Sequence, residues 1–157
     1  MLHVVLVEPE IPPNTGNVAR LCMATQTRLH LVEPLGFSID DKTLRRAGMD
    51  YWHSCDVVSW RSWDAFASAN TDERLFFLTT KTSHSLWNAS FQDGDYLVFG
   101  RETKGLPESL LAANPDACVR IPMADDARSL NLSTAVGIVL YEALRQTAPH
   151  TESPPLK

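Results

Sequence analysis

The chain has 157 residues, 44% hydrophobic and 21% charged, with a formal charge of −5. This is the make-up of one soluble globular domain and excludes a disordered or fibrous chain. The acidic balance excludes a broad basic coat for non-specific nucleic-acid binding, although it leaves room for a local basic patch.

In chain order, His3 to Val7 is an apolar, β-branched run that predicts a buried first strand. Three prolines within Glu8–Pro13 break it, and Asn14 then reads as the N-cap of a helix whose apolar stripe is Val18, Leu21, Cys22 and Thr25, with Arg20 off the stripe. Arg28 to Val32 predicts the second strand. Asp40 or Asp41 caps a short helix through Arg46, with Gly48 as its C′ residue. Val57 to Val58 is a brief strand, Ser62 to Asn70 a helix, and the near-continuous apolar runs Arg74–Thr80 and Tyr96–Phe99 are strands of a sheet covered on both faces. Pro107 opens a helix continued by Glu108–Ala113, Cys118–Ile121 is the last strand, and a final helix starts near Asn131–Ser133 with Val136, Val139, Leu140, Ala143 and Leu144 as its apolar face. The alternation predicts an α/β three-layer sandwich with a mostly parallel sheet. Residues 1–148 are expected to form a single domain and residues 149–157 a flexible, proline-rich tail.

Cys22, Cys55 and Cys118 fit neither a disulfide framework nor a CxxC metal site and read as reduced, mostly buried thiols. The opening apolar run lacks a basic n-region and a small-residue cleavage pattern. No segment approaches the roughly 18 apolar residues of a membrane span. A cytoplasmic protein is expected.

Two segments carry chemistry. In FGRETKGLP, Gly100 follows a buried strand and Gly105 closes the turn, so backbone can approach a ligand; a plain tight loop is the competing reading. The stretch from IPM to RSLNLS repeats the pattern of strand, polar loop and capped helix, where Ser129, Asn131 and Ser133 either cap or bind. Arg20, Arg101, Lys104, Arg128 and Arg145 lie in or beside such loops, and Arg45 and Arg46 either serve their helix dipole or meet phosphate.

The segments NTGNVAR (14–20), FGRETKGLP (99–107) and IPM…RSLNLSTAVGIVLYEALR (121–145) resemble the three ordered motifs of the SPOUT superfamily of RNA ribose 2′-O-methyltransferases, across essentially the whole chain. EPEIPPNTGN and DDKTLRRAGMDY are similar to its minimal TrmL (YibK) type, which methylates the tRNA wobble ribose. The resemblance implies a C-terminal trefoil knot. It also implies S-adenosylmethionine held by main-chain groups near Leu78, Gly100, Ile121 and Ser129, with Thr79, Gly105, Met123 and Leu130 as further lining, and a homodimer whose site combines both subunits. By the same pattern Asn14, Arg20, Glu102 and Asn131 are catalytic. Tyr141 is a candidate to contact the nucleotide, with a packed core tyrosine as its alternative. Lys42, Arg45, Arg46, Tyr51 and Arg145 form the RNA surface.

The implied reaction is methylation of the ribose at position 34, expected on leucine tRNAs. No metal is needed, because the sulfonium donor is already activated. Another tRNA or rRNA site, or a non-catalytic RNA-binding or nucleotide-binding module on the same fold, are the alternatives.

Overall fold

The computed structural model describes residues 1–46 and 50–148; the expected helix-ending Gly48 and the tail 149–157 lie outside the described residues. Six strands, β1 (His3–Val7), β2 (Arg28–Val32), β3 (Val57–Trp60), β4 (Leu75–Leu78), β5 (Tyr96–Phe99) and β6 (Cys118–Val119), form one sheet in the order β3-β2-β1-β5-β4-β6. Every pair is parallel. The helices are α1 (Pro12–Ala24), α2 (Asp41–Arg46), α3 (Trp63–Ala69), α4 (Glu108–Ala113) and α5 (Leu132–Thr147).

The strands are predominantly apolar because both faces are covered, with His3, Arg28, His30 and Ser59 among the exceptions. Val4, Leu6, Leu29, Leu31, Leu97 and Phe99 point to one side, against Val18, Ala19 and Cys22 of α1 and Val136, Val139, Leu140 and Ala143 of α5. Their neighbours Val5, Val7, Val32, Phe77 and Val98 point to the other, against Phe66 of α3 and Leu110 and Leu111 of α4. The result is three layers. Leu140 is fully buried, so truncation to alanine costs on the order of 2–5 kcal/mol.

Several boundaries differ from the sequence reading. The first helix starts at Pro12, with Ile11 rather than Asn14 at its cap. β3 runs to Trp60, β4 is confined to Leu75–Leu78, and β6 holds only two residues. Beyond them Arg120 pairs with the segment His84–Leu86, which covers the outer edge of β6: Leu86 N–H donates to Arg120 O at 2.8 Å and Arg120 N–H to His84 O at 2.8 Å. Three 3-10 turns, at Trp52–Ser54, Leu86–Asn88 and Pro115–Ala117, were not visible in the pattern.

The order places β1 beside β5, with the connections diverging on either side. The carboxyl ends of β1, β4, β5 and β6 therefore carry the loops 8–11, 79–85, 100–107 and 120–131 to one end of the sheet, where open α/β sheets hold ligands. Among the described residues, no helix is long and apolar enough to cross a membrane.

Candidate active site

The loop after β5 is a closed turn. Arg101 and Gly105 exchange backbone hydrogen bonds, Gly105 N–H to Arg101 O at 2.9 Å and Arg101 N–H to Gly105 O at 3.3 Å, and Gly105 has a φ of +67°. Gly100 has no room for a side chain: a Cβ there would lie 2.1 Å from the Gly105 carbonyl carbon and 2.2 Å from the Leu106 nitrogen. The glycine is thus demanded by the turn's own backbone. This is the tight-loop reading of the sequence, in which the space beside Gly100 is taken by the chain itself.

Three consecutive residues of this turn grip the segment that follows β1. Arg101 forms a two-pronged ion pair with Glu8. The Glu102 carboxylate accepts from Glu10 N–H at 2.8 Å, Ile11 N–H at 3.1 Å and Asn14 Nδ2 at 3.3 Å. Thr103 Oγ1 donates to Glu10 at 2.7 Å. Pro12 and Pro13 have no N–H, so α1 begins with fewer donors to satisfy, and Glu102 accepts from the two just ahead of them. This explains why Asn14 sits inside the helix instead of capping it.

Freed from capping, the buried Asn14 side chain turns outward to the third motif. Its Oδ1 accepts from Asn131 Nδ2 at 3.0 Å, while Asn131 Oδ1 accepts from Ser133 Oγ at 2.7 Å and Thr134 N–H at 3.3 Å, capping α5. One line of hydrogen bonds, Glu102–Asn14–Asn131, therefore links residues 88 and 117 positions apart in sequence. Glu102 was read as catalytic, but its oxygens are committed to three donors, and the structure gives it the part of a brace that orients Asn14.

These groups border a cavity of about 750 Å³ at the carboxyl ends of the strands. All eight residues read from the sequence as cofactor-lining are in its wall: Leu78, Thr79, Gly100, Gly105, Ile121, Met123, Ser129 and Leu130. Asn14, Glu102 and Asn131 also line it. Sequence reasoning did not single out Ile11, Thr80 and Lys81, which lie outside the three motifs, or Thr103, Leu132 and Ala135, which lie within them. A second cleft of about 460 Å³ lies on the other side of the turn, lined by Val7, Glu8, Lys81, Arg101, Lys104, Gly105, Leu106, Pro107 and Glu108.

Other expected residues stand apart from the cavity of their own chain. Arg20 is exposed on α1, its guanidinium 5.9 Å from the centre of the Tyr51 ring. Tyr51 is anchored by its hydroxyl, which donates to Gly16 O at 2.6 Å, and burial raises its pKa. Tyr141 is 58% exposed on α5, which rules out the core-tyrosine alternative. Lys42, Arg45 and Arg46 are exposed on α2, beside α1. Arg145 forms a two-pronged pair with Glu142 at 2.8 and 2.9 Å, which holds the Glu142 carboxyl down at about 2, so its charge is balanced locally. That pairing weakens its assignment to the RNA surface.

The family model described as the SpoU rRNA Methylase family matches residues 1–141. The tRNA (cytidine(34)-2′-O)-methyltransferase of Escherichia coli K12 is 56% identical over 147 residues, covering 93% of this chain and 94% of that protein. A solved structure described as giving insights into the 2-OH methylation of C/U34 on tRNA is 48% identical, with a TM-score of 0.87 over 93% of this chain and 95% of the other. An AdoMet-bound rRNA methyltransferase of Sinorhizobium meliloti is 27% identical, with a TM-score of 0.80 over 92% of this chain and 56% of the other.

Proposed function

The chain belongs to the SpoU rRNA methylase family, and on that premise we propose that it transfers a methyl group from S-adenosylmethionine to the ribose 2′-oxygen of nucleotide 34 of tRNA, with leucine tRNAs as substrates. The observation that carries the reading is convergence: all three motifs meet at one 750 Å³ cavity and are tied together by Glu102, Asn14 and Asn131.

The cavity suits the cofactor in size and chemistry. Its volume lies within the roughly 300–1,000 Å³ of small-molecule sites, and Leu78, Ile121 and Leu130 offer apolar surface for a purine beside turn backbone at Gly100, Gly105 and Ser129. When bound, the cofactor supplies an electrophilic methyl carried on a sulfonium. Asn131, held by Asn14 and by the start of α5, is placed to orient a hydroxyl at the cavity wall.

Arg20 supplies charge to a neighbouring site. A guanidinium holds charge and donors and rarely takes a proton, so its task is to grip the target phosphate and stabilise the alkoxide that develops as the hydroxyl loses its proton to a phosphate oxygen or water. Within its own chain it does not line the cavity, and among the described residues it has no carboxylate partner. Both facts suit delivery to the cavity of a second subunit. Met23, 41% exposed, and Tyr141 leave an apolar face on α1 and α5 that a homodimer would cover. A knot belongs to the same proposal: from β6 the chain must return across the strand ends to set α5 against α1 and β5.

The test is incubation with methyl-labelled S-adenosylmethionine and tRNA, followed by mapping. Label on the 2′-oxygen of nucleotide 34 is expected; label elsewhere would move the target, and no label in any RNA would reject the reading.

A further inference from the structure

We propose that Lys104 and Arg128 form a phosphate clamp at the mouth of the cofactor cavity, gripping the RNA strand on the same subunit that holds the methyl donor. This rests on the methyl-transfer reading.

The walls of the cavity carry four cations, Lys81, Arg101, Lys104 and Arg128, against a single carboxylate, Glu102, whose oxygens are occupied by three N–H donors. The chain as a whole is acidic, so such a concentration is local. Two of the four are neutralised in place: Arg101 by Glu8 and Lys81 by Glu108, at 2.8 Å. Lys104 and Arg128 are exposed and have no carboxylate partner among the described residues. Asp125 and Asp126, in the same loop as Arg128, form no ion pair with it and do not line the cavity.

The two unpaired cations come from different loops. Lys104 is at the tip of the turn closed by Arg101 and Gly105, and it lines both the 750 Å³ cavity and the 460 Å³ cleft behind the turn. Glu8 and Glu108 share that cleft, but each is already engaged. Arg128 lies across the cavity, next to Ser129. Their backbone supports are rigid on one side: Thr103 is pinned to Glu10, and Gly105 to Arg101.

Charge decides which oxyanion they serve. The cofactor carries a sulfonium and an ammonium against one carboxylate, so it is cationic overall and gains little from a positive mouth. An acceptor ribose, in contrast, always brings phosphodiester groups on its 3′ and 5′ sides. A strand crossing the turn would lay one phosphate against Lys104 and another against Arg128.

The experiment measures tRNA affinity across a salt series and cofactor affinity by calorimetry, for the wild type, Lys104→Ala, Arg128→Ala and Lys104→Arg. Each alanine is expected to weaken tRNA binding about tenfold and to flatten the salt slope by about 0.7, the value of one single-strand phosphate contact. Cofactor affinity should stay within about twofold, and Lys104→Arg should restore most of the loss. Arg128→Ala weakening the cofactor while sparing tRNA would overturn the clamp, since the anion would then be the cofactor's carboxylate. A wild type that methylates tRNA while both alanine variants bind it normally sinks the clamp alone. A wild type that neither binds nor methylates tRNA sinks the clamp and the functional reading together.

Discussion

The imidazole network under α3 and the amide–carboxylate network at the strand ends are built alike, yet of the two only the second lines either of the cavities described above. In the first, Trp60 Nε1–H donates to His30 Nδ1 at 3.0 Å, and an indole can only donate. His30 must therefore carry its proton on Nε2 and pass a hydrogen bond to His3 Nδ1, also at 3.0 Å. His3 stacks on Tyr96 at 4.1 Å, and the Tyr96 hydroxyl donates to Asn70 Oδ1 at 3.1 Å. In the second, Glu102, Asn14 and Asn131 are equally committed to one another, but they form a wall of the 750 Å³ cavity. Hydrogen-bonded polar clusters are thus no mark of function by themselves. What separates the two is that only the second lines a described cavity.

The strongest test of that contrast is Gly100→Ala. The new methyl would collide with the backbone of Gly105 and Leu106, which has no flexible end to swing away. The turn has to open, at a cost on the order of 4 kcal/mol or more. Thermal unfolding is expected to drop by about 10 °C or more, with loss of cofactor binding by calorimetry. Wild-type values for both would show that the turn is looser than the contacts imply.

Next in size is Glu102→Ala, which strands the N–H groups of Glu10 and Ile11 and the amide of Asn14. The expected loss is about 2–3 kcal/mol in urea unfolding, with a fall of roughly tenfold or more in kcat as Asn14 and Asn131 lose their orientation. Glu102→Gln keeps one acceptor oxygen and should recover part of each. A stability loss with kcat untouched would make the brace purely structural and remove it from the site's machinery.

The two networks also differ in how far the sequence disclosed them. β1 and β5 were legible because burial on both faces writes a nearly continuous apolar run, and β2 because Leu29, Leu31 and Val32 are interrupted only by His30. The residues that line the cavity were legible through the motif resemblance, because loops marked by glycine or serine after such strands recur in a recognisable order. The start of α1 was not, since its cap is a carboxylate 92 residues away from Glu10. Likewise the short β6 is set by pairing with Phe77 and Leu78 of β4, and its continuation at Arg120 by residues 84–86, contacts that local pattern cannot encode. His3 and His30 lie 27 residues apart in sequence, and β1 and β2 bring them together only through parallel register, where Val5 pairs with His30.

Acid should distinguish the networks in turn. Burial holds the His30 pKa down to about 4 from an ordinary 6.5, and burial lowers that of His3 as well. Below pH 6.5 the unfolded chain takes up protons that the folded chain refuses. The stabilising contribution is therefore complete above about pH 6.5 and is lost as pH falls toward 4. For His30 alone the loss amounts to about 2 kcal/mol by pH 5. Unfolding midpoints of the wild type and His30→Phe at pH 7 and 5 isolate this from the carboxylates; equal pH slopes would show that His30 titrates normally.

The smallest effect expected is that of Trp60→Phe. The variant keeps an aromatic ring against Phe66, whose centre is 5.6 Å away, but removes the N–H that His30 Nδ1 accepts. At pH 7 the loss should be about 1 kcal/mol, the net worth of one buried hydrogen bond. The freed Nδ1 can then take a proton, so the His30 pKa should rise in an NMR titration and the difference from wild type should change as pH is lowered. Neither described cavity is lined by Trp60, His30 or His3, so methyl transfer at pH 7 should be unaffected. A fall in transfer at unchanged foldedness would mean that the interior network reaches the site after all, and the distinction between the two would have to be redrawn.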